Sequence, residues 1–228
     1  MYNFDLVSAT HAKVLLSAWS LASEAQRKPL VEQFNLLDAS ERERFHRYRR
    51  AEPAQRFVAA RWGLRTQLGN WLNEPPNSIR LSTTPLGKPW LLDYPDCHFS
   101  LSHSGDRALL AISHMPVGVD IEAILEPHRI TPTLVNHALT QSEAELLEST
   151  AAIEKAELFT HHWVCKEAVM KAVGLGCQLE PKHISIDLEA SSVELAPAWM
   201  CQMGNDWCVE LLDAPQGYCA ALAIEIPF

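Results

Sequence analysis

The sequence predicts an α+β protein in which each half of the chain has helices followed by a run of strands. Three observations lead to this prediction: segments with apolar residues at helical spacing, short segments that alternate between apolar and polar residues, and turn residues between them. The 228 residues are 47% hydrophobic and 21% charged, which is enough apolar material for a packed core. The two halves share an order of elements and no visible repeat of residues.

In the first half, the apolar run Val14–Trp19 predicts a strand, and residues 28–48 predict a helix with a capping box at Ser40 and Glu43. A second helix begins at Pro53, because proline is tolerated in a first turn, and it ends at a proline pair. Residues 84–89 form a turn. We expect the last two strands of this half to pair as a hairpin. The predicted strands are 79–82, 98–102, 108–113 and 118–122.

In the second half, residues 123–139 are predicted to be irregular, and Thr140 with Glu143 forms another capping box that opens a helix. Residues 154–173 predict a long helix that Gly174 stops. This helix is apolar on both sides, which indicates that it is largely buried. The strands predicted after it are 184–188, 207–212 and 218–226.

The net charge of −9 argues against a general nucleic-acid binder. Residues 42–65 depart from this acidic average, because eight arginines there face only Glu43 and Glu52. Such a surface suits an anion or an acidic partner, and the alternative is an ordinary solvated helix face.

The six cysteines have no metal-ligand spacing, so we expect buried, reduced thiols. Residues 1–5 lack the basic start of a signal peptide, and no apolar run is long enough to span a bilayer. We therefore expect a cytoplasmic protein without membrane contact.

Two segments carry the chemistry. Asp120 and Glu122 lie two residues apart on a predicted strand, so both point to one face, about 6.5 Å apart. Glu167 and Lys171 lie at i,i+4 on the long helix. Three converging carboxylates would form an oxygen-lined cation site, for which Mg²⁺ is the default metal. The alternatives are a strand whose polar face meets water and a surface ion pair.

The turn Ser102-His103-Ser104-Gly105 offers hydroxyl, imidazole and backbone N–H groups that can hold phosphate oxygens. Taken alone it is also consistent with an ordinary polar turn.

The motif Gly118-Val119-Asp120-Ile121-Glu122, followed by Trp163-x-x-Lys166-Glu167-Ala168-x-x-Lys171, resembles the signature of the Sfp-type 4′-phosphopantetheinyl transferases. Gly87-Lys88-Pro89 and Ser100–Ser104 stand upstream in that family's order. The resemblance implies a monomer of two similar α/β halves, residues 1–116 and 117–228, related by a pseudo-twofold axis. It also implies that coenzyme A binds in the cleft between them.

The same resemblance implies the roles of the site residues. Asp120, Glu122 and Glu167 would hold Mg²⁺ against the pyrophosphate of coenzyme A. Ser102 and His103 would contact phosphates of coenzyme A, and Lys88 with either Arg49 or Arg50 would meet its 3′-phosphate.

The predicted reaction is transfer of 4′-phosphopantetheine to a serine of an apo acyl or peptidyl carrier protein, with release of adenosine 3′,5′-bisphosphate. Glu167 would act as the base, directly or through a water on the metal, and Lys171 would stabilise the leaving phosphate. One alternative is a Mg²⁺-dependent phosphohydrolase of a nucleotide or a coenzyme A-like pyrophosphate. A second is a coenzyme A-binding module without catalysis. Fatty-acid, polyketide and nonribosomal peptide carriers all remain open.

Overall fold

The structure, a computed structural model, describes residues 2–7, 13–22, 29–196, 199 and 206–226, without the side chains of 2–7 and of Cys177. The helices described are α1 (Leu30–Asn35), α2 (Ala39–His46), α3 (Ala51–Leu72), α4 (Pro132–Ala138), α5 (Gln141–Ser149) and α6 (Lys155–Val173). The strands described are β1 (Tyr2–Val7), β2 (Lys13–Ser20), β3 (Leu81–Thr83), β4 (Pro89–Leu91), β5 (His98–Ser104), β6 (Arg107–Ser113), β7 (Val117–Ala123), β8 (Ile184–Asp187), β9 (Ser192–Leu195), β10 (Asp206–Leu212) and β11 (Tyr218–Ile226).

The strands form two antiparallel sheets and one short hairpin. The first sheet has the order β1-β2-β6-β5, the second has the order β7-β11-β10-β9-β8, and β3 pairs with β4. A long helix packs on each sheet: Leu64 and Leu68 of α3 join the core of the first sheet, and Val164 and Ala168 of α6 join that of the second. The α+β prediction is confirmed.

The two sheets also pack on each other, and the alternation along their strands shows how. Leu109 and Ala111 of β6 meet Val119 and Ile121 of β7 in a core between the sheets. The intervening residue Leu110 of β6 belongs instead to the core beneath α3. The layers therefore run helix, sheet, sheet, helix, and the polar residues of β7 fall on the face that α6 covers.

Gly118 allows α6 to approach β7 closely. A Cβ atom at this position would overlap the carbonyl oxygen of Ala168 and the backbone nitrogen of Ala172. The glycine of the predicted strand motif therefore sets the distance between the strand and the helix that carry the candidate site.

The predicted hairpin of residues 108–113 with 118–122 is wrong. In the part of the chain that the structure describes, β7 pairs only with β11 and forms an edge of the second sheet. The short turn at Pro116 changes sheets instead of returning the chain along β6. Apolar packing between the sheets, rather than a backbone ladder, brings these two strands together.

Two helix predictions also need correction. The described part of the predicted helix 28–48 forms the two helices α1 and α2, and the capping box of α2 uses Asp38 and Glu41, two residues before the predicted pair. The Asp38 carboxylate accepts from the Glu41 N–H at 2.9 Å, and Ser40 donates to Asp38. Residues 123–139, predicted as irregular, contain α4, which is capped by Thr131. The strands β1, β4 and β9 were not predicted.

The capping box of α5 is confirmed, and its glutamate also belongs to a buried ion pair. Lys166 is fully buried and donates to the Glu143 carboxylate and, at 2.8 Å, to the carbonyl of Ala138. Glu143 accepts from the backbone N–H groups of Thr140 (2.8 Å) and Ile186 (2.9 Å). This cluster joins α4, α5, α6 and β8 at one point.

The thiols of Cys97, Cys165 and Cys219 are free and buried, as predicted, whereas that of Cys208 is free but only half-buried. Cys201 and the Cys177 side chain lie outside the described residues. No helix in the described part of the chain has the length and apolar character needed to cross a bilayer.

Candidate active site

The candidate site lies where the edges of the two sheets meet under α6, and its central group is Asp120. This side chain is only 2% exposed. Its Oδ1 atom accepts from Lys171 Nζ at 2.6 Å and from Ser102 Oγ at 2.6 Å, and Lys171 also donates to Ser102 at 2.9 Å. Three residues predicted from the sequence are thus in direct contact, although they come from β5, β7 and α6.

The strands β5 and β7 are joined by serine side chains. Ser104 Oγ donates to Glu122 Oε2 at 2.7 Å and accepts from the Ala123 N–H at 3.2 Å. Ser100 Oγ accepts from the Val119 N–H at 3.0 Å. With Ser102, these serines occupy alternate positions of β5, so all three point to one face of that strand.

The second and third carboxylates lie within electrostatic range of Asp120. Burial raises the pKa of Glu167, the charge of Asp120 raises it further, and Lys171 lowers it. Burial also raises the pKa of Glu122, while the hydrogen bond from Ser104 lowers it. Glu122 and Glu167 are therefore better proton acceptors than free glutamate, and the cluster favours a bound cation.

The fit of these residues to Mg²⁺ can be judged from the oxygen atoms. Asp120 Oδ2 is buried and has no hydrogen-bond partner among the described residues, which is costly unless a cation or water binds there. The donor set of carboxylate oxygens suits Mg²⁺. Across the described ranges, however, no three acidic, imidazole or thiol side chains are already arranged to hold a metal ion.

His103 lies at the exposed end of the same strand. Partial desolvation lowers the pKa of its imidazole, and the positive charges of Lys171, Arg44 and Arg56 lower it further. The structure thus places Arg44 and Arg56 in the electrostatic environment of His103, although the sequence analysis named neither as a phosphate contact.

Two neighbouring clefts extend from the site. A cleft of 360 Å³ is lined by Lys88, Glu167 and Lys171, among others. A cleft of 480 Å³ is lined by Arg44 and Arg61, and the two share residues 87 and 89 as common walls. A path from the carboxylates to the arginine-rich surface therefore runs across the turn at Lys88.

Lys88 also connects the two halves. Its Nζ atom donates to the carbonyl of Ala172 at 2.5 Å, in the last turn of α6, where carbonyl groups lack helical partners. Burial lowers the pKa of Lys88 to about 8, and Glu225 acts in the opposite direction. In this arrangement the ammonium group faces the end of the helix.

The arginine-rich segment divides into internal and exposed members. Arg65 is buried and pairs with Glu41 and Asp38, acids that lie just before the segment, and Arg61 pairs with the same glutamate. The remaining two members of interest, Arg49 and Arg50, are exposed at the start of α3. Neither has a hydrogen bond or ion pair with another described residue. Arg61 and Arg65 therefore fit neither alternative, and the role of the exposed arginines stays a prediction.

Two family models match the chain. The model described as the 4′-phosphopantetheinyl transferase superfamily matches residues 116–223, and that of the 4′-phosphopantetheinyl transferase N-terminal region matches residues 18–115. The 4′-phosphopantetheinyl transferase HetI of Nostoc sp. is 32% identical over 79% of this chain and 78% of that protein.

The chain belongs to the 4′-phosphopantetheinyl transferase superfamily. The 4′-phosphopantetheinyl transferase Sfp of Bacillus subtilis is 28% identical, over 74% of this transferase and 77% of its own length. The L-aminoadipate-semialdehyde dehydrogenase-phosphopantetheinyl transferase of Rattus norvegicus is 27% identical, over 84% of this transferase and 68% of its own length. The recognition from the sequence motifs is confirmed.

The structure of this transferase brings together Ser102, Asp120 and Lys171, with Glu122 and Glu167 beside them. Sequence reasoning missed Ser104 as the partner of Glu122. Its spacing from Ser102 equals that of the two acids on β7, and this matched period was a signal that could have found it.

Proposed function

We propose that this transferase moves the 4′-phosphopantetheine group of coenzyme A to a serine hydroxyl of an acyl or peptidyl carrier protein. The observation that supports this most strongly is the buried Asp120 with its unpaired Oδ2 atom, in contact with Lys171 and beside two further carboxylates. A serine hydroxyl is a weak nucleophile and a diphosphate is highly charged, so the reaction needs both a base and positive charge.

In the proposed reaction, the carrier serine oxygen forms a bond to the β-phosphorus of coenzyme A while the bond from that phosphorus to the bridging oxygen breaks. Adenosine 3′,5′-bisphosphate leaves with the bridging oxygen. Glu167, on the wall of the 360 Å³ cleft, takes the serine proton. The Lys171 ammonium, on the wall of the same cleft, neutralises the charge on the leaving phosphate.

Mg²⁺ held by Asp120, Glu122 and Glu167 would neutralise negative charge on the diphosphate oxygens. We propose that the 3′-phosphate lies toward His103 and the cleft lined by Arg44 and Arg61. Lys88, Arg49 and Arg50 stay predicted contacts of the 3′-phosphate. The division at residues 116 and 117, the monomeric state and the cytoplasmic location also stay predictions.

The test is the intact mass of a purified apo-carrier protein after incubation with this transferase, coenzyme A and Mg²⁺. We expect the carrier to gain one phosphopantetheine, and a chelator should abolish the gain. The role of Glu167 as the base is tested with Glu167→Gln. Glu157→Gln is the matched control, because Glu157 is an exposed acid of the same helix. Phosphate release from coenzyme A without a carrier would indicate the phosphohydrolase, and binding without turnover would indicate the binding module.

A further inference from the structure

The contact between β5 and β7 has an unusual basis, because two sheet edges meet without a backbone ladder. Within the described residues, β5 is the last strand of the first sheet and β7 the first strand of the second. Outward N–H groups of a buried edge strand need acceptors. Val119 and Ala123 find them in the hydroxyls of Ser100 and Ser104. We call the contacts of Ser100, Ser102 and Ser104 with β7 the serine seam.

The three serines of the seam have different tasks. Ser100 accepts from the backbone of β7 and has no hydrogen bond with a carboxylate of the described residues. Ser102 contacts Asp120 and Lys171. Ser104 uses its acceptor capacity for the Ala123 N–H and its single proton for Glu122 Oε2.

We infer that Ser104 is a positioning residue that orients the Glu122 carboxylate toward Asp120 and Glu167. Glu122 lies near the end of β7 and is half-buried, so its side chain has rotamers that turn away from the site. A hydroxyl that is itself fixed by the Ala123 N–H restricts the carboxylate to one of them. This inference rests on the proposed function, in which Glu122 helps to hold Mg²⁺.

A hydrogen-bond partner that orients a metal-ligating side chain is worth about 10–100-fold in metal affinity or activity. We therefore expect Ser104→Ala to weaken Mg²⁺ binding by about 10–100-fold. The binding is measured by titration calorimetry with coenzyme A present and, independently, as the Mg²⁺ concentration that gives half the maximal transfer rate. Ser104→Thr, which keeps the hydroxyl, should restore binding to within about threefold of the original chain.

Ser100→Ala is the matched control, because it removes a hydrogen bond of the seam and no carboxylate contact. Both alanine variants should lower the melting temperature by similar amounts, whereas only Ser104→Ala should weaken Mg²⁺ binding. Equal losses of Mg²⁺ affinity in the two variants would overturn the inference and assign Ser104 a structural role alone.

A double-mutant cycle with Glu122→Gln separates this inference from the proposed function. If Glu122→Gln keeps full Mg²⁺ affinity and transfer, the proposed role of Glu122 fails. If Glu122→Gln is impaired, Ser104→Ala added to it should cost less than about twofold more, since the two residues act as one unit. If Ser104→Ala weakens Mg²⁺ binding as much in the Glu122→Gln variant as in the original chain, the inference is contradicted and the proposed function is left intact.

Discussion

Replacing Lys166 with methionine tests the buried ion pair that anchors α6. Lys166 is 0% exposed and Glu143 is 4% exposed, so the substitution leaves a carboxylate in the interior without its counter-charge. Removing one partner of a buried ion pair costs about 3–5 kcal/mol of unfolding free energy. At about 2–4 °C per kcal/mol for a chain of this size, the melting temperature should fall by about 6–20 °C.

The assay is thermal unfolding at pH 7 followed by circular dichroism. Lys155→Met is the matched control, because Lys155 is a half-buried lysine of the same helix that, among the described residues, has no buried counter-charge and donates only to the carbonyl of Glu148, and it should melt within about 2 °C of the original chain. Adding Glu143→Gln to Lys166→Met should recover part of the loss, since the amide carries no charge and can still accept from the Thr140 or Ile186 N–H.

The pH dependence gives a second check on the same pair. Burial alone would raise the pKa of Glu143, but the His162 imidazole, 3.5 Å away, and the charge of Lys166 lower it to about 2. Its contribution to stability is thus complete above the ordinary glutamate pKa of 4.5 and is lost as the pH falls toward 2. The deficit of Lys166→Met should therefore shrink on acidification. A melting temperature unchanged at pH 7 would refute the reasoning.

Three further outcomes are expected. Gly118→Ala should destabilise the chain by about 3 kcal/mol or more in urea unfolding, because its methyl group would overlap backbone atoms of α6; a smaller loss would show that the helix can shift. Asp120→Ala and Glu167→Ala should keep the circular dichroism spectrum yet lower the rate of carrier modification about 10²–10³-fold. Full activity of either variant at saturating Mg²⁺ would contradict its assignment as a Mg²⁺ ligand. Between pH 8 and 10.5 the unfolding free energy of the original chain should increase relative to that of Lys88→Met, because the unfolded chain keeps a proton in this range that folded Lys88 releases.

Much of the local structure could be predicted from the sequence because it depends on neighbouring residues. The apolar pattern of α6 and the capping box of Thr140 and Glu143 are local signals, and both elements form as predicted. The capping box of α2 was misplaced because Asp38 with Glu41 and Ser40 with Glu43 fit the same pattern. Only the structure, in which Asp38 and Glu41 also meet Arg65, distinguishes them.

Contacts between segments that are far apart in the sequence were harder to predict. Adjacent strands usually pair, so β6 and β7 were expected to form a hairpin, and the change of sheet at Pro116 has no distinct local signal. The carboxylates and Lys171 were found because their residue types and spacing indicate chemistry. The contact of Ser104 with Glu122 and the position of Arg44 near His103 were not predicted, because serines and arginines are common in polar turns and helices. Their importance comes only from what the fold places beside them.

The meeting of two open sheet edges has a consequence for synthesis in the cell. A ribosome completes β5 before it has made β7, so a first half that folds early presents a strand with unsatisfied main-chain groups. Such an exposed edge strand can pair with the same strand of another nascent copy. Prompt translation of the second half would cover it, and slow codons placed just after residue 116 should therefore divert newly made protein into aggregates.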